Sequence, residues 1–296
     1  MTKFSIIVNS HNQNNYLERC ILSILNQDTN EDFEIIVSDT SDKKYYELQE
    51  NYKEYKNIKF LFLESSYEYP TQDQLYKIES AIKYCKGEYI CLVDGDDFFF
   101  NKKLYFISNE LETFKYSCIQ DWPMIYDESL KESKKLINLS KYYKNLNIYK
   151  KLVNSWPLVH STSCLTIKKE VIVNFFKQTK PFDCKYLAID ILIAIYCQIF
   201  YDFKNLNLYL TYKSLGIKNL DKTFSKIVSK NYWHRRQEQH KYYINLFNDG
   251  GSAFILKPEK LRYKRVTINE PKEADKNLSF APKEMSVMGG EGKLAL

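Results

Sequence analysis

The chain has 296 residues, 44% hydrophobic and 27% charged, with a formal net charge of +6. These values exclude a disordered chain and suit one large α/β domain or two small ones with a substantial core. The positive balance is mild and spread out, which fits an anionic small molecule or lipid surface and argues against nucleic acid, whose binders carry a denser basic patch.

The chain opens with "FSIIV" (4–8), a short β-branched run that reads as a strand. A polar loop follows at once, so the start is not read as a signal peptide. Leu17, Cys20, Ile21, Ile24 and Leu25 recur at helical spacing. "FEIIV" (33–37) predicts a second strand, and "KKYYELQENYKEY" (43–55) a polar helix. "IKFLFL" (58–63) predicts a third strand, with a helix face after it at Leu75, Ile78, Ile82 and Cys85. "YICLV" (89–93) predicts a fourth. Apolar strands alternating with helices predict a parallel sheet covered on both faces, with ligands at the carboxyl ends of the strands. "VNSHNQ", "VSDTSD" and "VDGDD" all fall at such ends.

Beyond residue 100 the pattern is less regular. Trp122-Pro123 and Trp156-Pro157 read as punctuation. "SCLTIKKEVI" (163–172) predicts a strand turning into a helix, "KYLAIDILIAIYCQIF" (185–200) a helix carrying one acid, and "LNLYLTYKS" (206–214) a strand. The stretch 187–200 is too short to span a bilayer. Residues 221–247 read as a helix rich in basic and aromatic side chains, either a solvated face or a membrane-facing one. From about Asp249 glycine and proline accumulate, and 249–296 reads as a tail or small module. Seven cysteines, none in C-x-x-C spacing, predict free buried thiols in a cytoplasmic protein and no zinc site.

The densest chemistry lies in "VDGDDFFF" (93–100), where Asp94, Asp96 and Asp97 occupy four consecutive positions. Two like charges about 5 Å apart at an effective dielectric near 20 repel by about 3 kcal/mol. Asp-Gly also marks a turn, and the run fails the calcium loop pattern, lacking its sixth-position Gly and twelfth-position Glu. No Walker A or G-x-G-x-x-G loop follows the first strand. A divalent cation, Mn²⁺ or Mg²⁺, bridging carboxylates to a diphosphate would balance the acids.

Taken in order, "FSIIVNSHNQNNYLERCILSILNQ", "FEIIVSDTSD" and "AIKYCKGEYICLVDGDD" resemble glycosyltransferase family 2. The resemblance is firm over 4 to about 100, weaker over 155–220 and absent from the tail. It implies the GT-A fold, a mostly parallel Rossmann-like sheet flanked by helices over 1–220. Residues 1–100 would be the nucleotide half and 101–220 the acceptor half, with 221–248 as a helical extension. It also implies a nucleotide-sugar donor, a UDP-sugar first, and inverting transfer to a glycan or lipid-linked acceptor in surface-polysaccharide synthesis such as capsule or lipopolysaccharide.

Position by position, the resemblance gives Asn9 and His11 to the nucleobase loop and Asp39 to the base or ribose. It gives Asp94, Gly95 and Asp96 to the D-x-D turn, with Asp97 beside it at the metal. Two departures stand out: Thr40 replaces a second acid, and Lys77 lies where many members carry a phosphate-facing Arg. Asp190 is the first choice for the general base, on the expectation that Ile189, Ile191 and Leu192 enclose it and desolvation raises its pKa. Asp183 is the second choice. His160 is a candidate contact for phosphate or acceptor, or an ordinary loop histidine. Trp156 is a candidate acceptor platform, or simple packing. Two rivals remain: a sugar nucleotidyltransferase, which would want a glycine-rich basic loop after the first strand, and a binding module without catalysis. Peripheral membrane contact and self-association are further expectations.

Overall fold

A computed structural model describes residues 2–135, 159–215 and 229–249. The first four expected strands are present as β1 (Phe4–Ser10), β2 (Phe33–Asp39), β3 (Ile58–Phe62) and β4 (Tyr89–Asp94). They pair in parallel in the order β3-β2-β1-β4. Between them lie α1 (Asn14–Leu25), α2 (Tyr46–Asn51) and α3 (Pro70–Ile82). Pro70 opens α3, where its missing N–H costs nothing. α2 is shorter than its polar sequence suggests: none of its own residues is fully buried, and it is anchored by the flanking Tyr45 and Tyr52 with Leu48 packed partly against the core.

The second half of the sheet is mixed rather than parallel. A two-residue strand β5 (Phe98–Phe99) precedes α4 (Lys103–Thr113). Then come β6 (Cys118–Asp127), β7 (Glu132–Lys135), β8 (Leu165–Lys168) and α5 (Lys169–Gln178). α6 (Ile189–Phe200), β9 (Phe203–Leu215) and α7 (Lys230–Asp249) complete the described elements. β8 joins β4 antiparallel, β6 joins β8 antiparallel, and β9 runs parallel to β6. Trp122-Pro123 interrupts nothing: it lies inside β6, at a register shift against β9. Residues 118–120 of β6 pair with β8, and residues 124–127 pair with β7. Pro123, having no N–H to give, falls where β6 changes partners.

The core has two layers, one on each face of the sheet. Ile7, Ile36, Ile90 and Leu92 point to the face covered by α3, α5, α6 and α7. Ile6, Val8, Ile35 and Val93 point to the face covered by α1 and α4. This double burial is why the early strands read as continuous apolar runs. Each such side chain contributes about 1.5–3 kcal/mol through removal from water. α7 joins the first layer through Tyr242 and Leu246, leaving Trp233 and Ile244 exposed. All seven cysteines are free, and all but Cys184 are buried. No described helix is long and apolar enough to cross a membrane.

Gly87 brings the turn before β4 against β1. Its N–H donates to Ser5 Oγ at 2.8 Å. A Cβ there would meet Ser5 N at 2.5 Å and the Phe4 carbonyl carbon at 2.6 Å, both backbone atoms that cannot swing aside. Gly87→Ala is expected to cost about 2–3 kcal/mol through overpacking, read as a lower denaturant midpoint at an unchanged slope.

Candidate active site

The in-register pairing of β1, β2 and β4 brings three chemically rich strand ends together. Asn9 lies opposite Asp94, and Ser10 opposite Asp39. A cleft of about 530 Å³ opens there, lined among others by Asn9, His11, Lys77, Asp94, Asp96 and Asp190.

The acid turn is held from several sides. Gly95 N–H donates to the Asn9 carbonyl at 2.7 Å, and Asp97 N–H to the Asp94 carbonyl at 2.9 Å. A Cβ on Gly95 would lie 2.7 Å from Gln13 Oε1 and 3.2 Å from the Asn9 carbonyl, so glycine allows this close approach. Arg19, from α1, donates to the Asp96 carbonyl at 3.1 Å while forking onto Glu128 at 2.6 and 3.1 Å. Ser214 Oγ donates to the same Asp96 carbonyl at 2.6 Å.

All three carboxyls of the turn are raised above the usual range. Burial is the first cause for each, and mutual repulsion adds to it for Asp94 and Asp97. Asp97 is pushed up to about 7. Lys213 pulls all three back toward ionisation. Asp94 Oδ1 is buried without a hydrogen-bond partner. Asp97 differs from its neighbours: one oxygen accepts from Ser163 Oγ at 2.6 Å and the other from Ser214 N–H at 2.9 Å. Both of its oxygens are engaged by the scaffold, although it lines the cleft together with Asp94 and Asp96. Among the described residues no three His, Cys, Asp or Glu side chains form a ready metal cage. A Mg²⁺- or Mn²⁺-type ion fits this donor set, one or two carboxylates with phosphate oxygens and water completing the shell. The unpartnered Asp94 oxygen and the repulsion among the acids favour such an ion.

At the nucleobase end, both polar atoms of the Asn9 amide are buried and unpartnered. Asp39 is wholly buried and is not part of the cleft wall. Its Oδ1 accepts from Ser41 Oγ at 2.5 Å, while Oδ2 has no hydrogen-bond partner. His11 Nδ1 lies 3.1 Å from the Thr40 carbonyl, which can only accept, so that nitrogen carries the hydrogen. Its Nε2 accepts from Asn12 Nδ2 at 3.2 Å. With both ring nitrogens engaged, the ring face remains for stacking. Lys77 departs from expectation. Its ammonium is buried, donating to the Ser10 carbonyl at 3.0 Å and pairing with Asp73 at 3.1 Å. Burial alone would raise Asp73, yet Lys77 with Thr40 holds it below the usual carboxylate range. Lys77 therefore serves the strand ends, and Thr40 binds Asp73 at 2.9 Å.

On the acceptor side, Asp190 lies in the first turn of α6 and lines the cleft, half-buried rather than enclosed by its apolar neighbours. Its Oδ1 accepts the Ile191 N–H at 2.7 Å, and its charge is felt at Asp94. Glu238 of α7 secures the segment leading to it, accepting from the backbone N–H groups of Lys185, Tyr186 and Leu187 at 2.7–3.2 Å. Arg235, one turn earlier on α7, also lines the cleft. Asp183 is exposed in the short turn Pro181–Asp183 and lies off the cleft wall. His160 does not join the site either. It is buried against Trp122, ring centroids 4.4 Å apart, and desolvation pushes it down to about 4, so it is neutral at physiological pH. Trp156 and the tail lie outside the described residues.

Arg19, Ser163, Lys213, Arg235 and Glu238 were not singled out by the sequence. For the arginines a signal existed: only five occur among 43 basic residues, and a fork-shaped donor is seldom idle in a lysine-rich chain.

Comparison with known proteins fits this geometry. A family model described as glycosyl transferase family 2 matches residues 5–174. An uncharacterized glycosyltransferase of Rickettsia bellii is 29% identical over 161 residues, 54% of this chain and 22% of that protein. The poly(ribitol-phosphate) beta-N-acetylglucosaminyltransferase TarS of Staphylococcus aureus is 31% identical over 100 residues, 33% of this chain and 17% of that protein. The chain thus matches less than a quarter of the length of either relative. Among solved structures, S. aureus TarS 1–349 in complex with UDP-GlcNAc superposes with a TM-score of 0.58 at 17% identity, covering 88% of this chain and 69% of that one. The same fragment with UDP gives 0.55 at 16% identity, covering 86% and 75%. At such identity the likeness shows the fold, a mixed sheet with flanking helices of GT-A type.

Proposed function

The chain belongs to glycosyltransferase family 2, whose model spans residues 5–174, and we propose that it is an inverting, metal-assisted transferase using a uridine diphosphate sugar. One observation carries this reading: Asp94, Asp96 and Asp190 line the same cleft as Asn9 and His11. Acids that need a counter-ion, a half-buried candidate base and a base-binding end therefore share one chamber.

Asn9, on the cleft wall, presents an unpartnered donor and acceptor, whereas Asp39 lies behind that wall. The Asn9 amide can bond a carbonyl and a ring N–H, as in uracil; the choice of uracil over other bases is supported by the neighbours solved with UDP and UDP-GlcNAc. The His11 ring face would stack on the base. Asp94 and Asp96 would hold Mn²⁺ or Mg²⁺, which when bound supplies charge neutralisation at the departing diphosphate. Lys213 and Arg235, both on the cleft wall, add cationic charge on that side. Asp190 takes the proton from the acceptor hydroxyl. The oxygen attacks the anomeric carbon from the face opposite the diphosphate, and the bond to the diphosphate breaks with its electron pair leaving on phosphate oxygen. Configuration inverts because a single displacement occurs. The acceptor class is a glycan or lipid-linked glycan, as in surface-polysaccharide synthesis, with peripheral membrane contact where the lipid is embedded. TarS, by name an N-acetylglucosaminyltransferase, with a structure solved in complex with UDP-GlcNAc, supports the nucleotide assignment.

The test is thermal stabilisation by UDP, GDP, ADP and their sugars, with and without Mn²⁺. At a hundredfold excess over Kd, a ligand adds about 2.7 kcal/mol, a shift of roughly 5 °C or more for a domain of this size. We expect the shift with UDP compounds, larger when Mn²⁺ is present. Equal response to all bases overturns the uracil assignment, and indifference to Mn²⁺ overturns the metal assignment.

A further inference from the structure

Lys103 and Asp121 form an ion pair at 2.7 Å in which neither side chain is exposed. The pair lies in the sheet core rather than in the cleft. Lys103 comes from the first turn of α4 and Asp121 from β6. Taking two charges out of water is costly, and apolar replacements of similar volume are often as stable or more so. Stability alone is therefore a poor reason for charges at this depth.

The hydrogen bonds lead from the pair to the acid turn. Lys103 Nζ donates to the Ser163 carbonyl and to Thr211 Oγ1, each at 2.7 Å. Thr211 Oγ1 donates to Asp121 Oδ1 at 2.7 Å. The ammonium also sits 4.1 Å from the centroid of the Phe99 ring, closing its surroundings. Ser163 is wholly buried and faces the other way with its hydroxyl. That hydroxyl accepts the Asp94 N–H at 3.0 Å and donates to Asp97 at 2.6 Å. One serine thus grips the turn on both sides of Asp96, and its own carbonyl is held by the buried ammonium.

We propose that the Lys103–Asp121 pair, acting through Ser163, is a positioning device that sets the separation and aim of the Asp94 and Asp96 carboxylates for the cation. The inference rests on the metal-assisted reading above and extends it to residues that touch neither cation nor substrate. Ser163 reaches the Asp94 backbone and the Asp97 carboxylate, so it acts on the two cation-facing carboxylates through the shape of the turn; loss of outer contacts around a metal site typically costs ten- to a hundredfold in affinity. The rival role for such a pair is fold specificity alone. The two roles differ in what changes when the charges are removed together.

The experiment compares wild type, the double variant Lys103→Met/Asp121→Leu, and Ser163→Ala. For each, Mn²⁺ uptake is measured by the electron paramagnetic resonance of free Mn²⁺ at saturating UDP. UDP affinity in excess chelator and the melting temperature are measured alongside. The expected result is a tenfold or greater loss of Mn²⁺ affinity in both variants, with metal-free UDP affinity within twofold and the double variant still melting cooperatively. A folded double variant and a Ser163→Ala protein that both keep wild-type Mn²⁺ affinity overturn the inference. If the double variant does not fold, Ser163→Ala decides by the same criterion. Wild-type protein that takes up no Mn²⁺ overturns the metal reading itself and the inference with it, an outcome separate from normal uptake in every variant.

Discussion

Asp96→Ala is expected to abolish transfer, by a thousandfold or more in kcat/KM, and to make donor binding indifferent to Mn²⁺. A thousandfold loss corresponds to about 4 kcal/mol of transition-state stabilisation, within what a bound cation contributes at a developing negative charge. The same substitution should not weaken the fold. Repulsion from Asp96 is among the causes that raise Asp94 and Asp97. Its removal relieves both, at the loss of the Gln13 hydrogen bond and of the attraction of Lys213 and Arg19 for the Asp96 carboxylate, while Arg19 and Ser214 still hold the backbone carbonyl of residue 96. The metal-free melting temperature should therefore equal or exceed that of wild type. An inactive protein of unchanged or higher stability identifies a strained functional group. Retention of Mn²⁺-stimulated turnover would refute the assignment.

Asp190→Asn should lower transfer by about a hundred- to ten-thousandfold, the usual contribution of a positioned base, while leaving the dissociation constant for UDP within about threefold of wild type. The amide oxygen can still accept the Ile191 N–H that now binds the carboxylate, so the start of α6 is preserved. What is lost is the ability to accept the acceptor's proton. Asp183→Asn is the internal control: that side chain is exposed and off the cleft, and transfer should be unchanged. Undiminished transfer by Asp190→Asn, measured at saturating donor, would end the base assignment.

The first hundred residues were readable because their signals are local. β1, β2 and β4 are buried on both faces, so each appears as an unbroken apolar run. Their in-register parallel pairing then turns a sequence pattern into a spatial one. The other half hides its logic in pairing between distant segments. β6 changes partners from β8 to β7 along its length, and Trp122-Pro123, which reads as a break, marks that change. Likewise Lys213 becomes part of the acid environment because β9 pairs with β5, which sets Tyr212 opposite Phe98 just after the acid turn, a relation without local trace. Lys77 is the reverse case, a cleft-wall residue with its charge already engaged. It occupies a plausible place along the chain, but its ammonium is taken up by Asp73 and the Ser10 carbonyl. Asp190 was singled out for its setting among isoleucines and does line the cleft, although the helix start, and not an apolar enclosure, is what holds it.

Glu238 grips three successive amides just ahead of the segment that carries Asp190. Every group assigned to the donor lies before residue 98, apart from Lys213 and Arg235, whereas this grip must await a helix that begins at Lys230. On a ribosome, which delivers the N-terminus first, the nucleotide chamber can take shape while the opposite wall is still unsynthesised. On the proposed reading, the base-binding strand ends would emerge before the segment that carries the candidate base is secured.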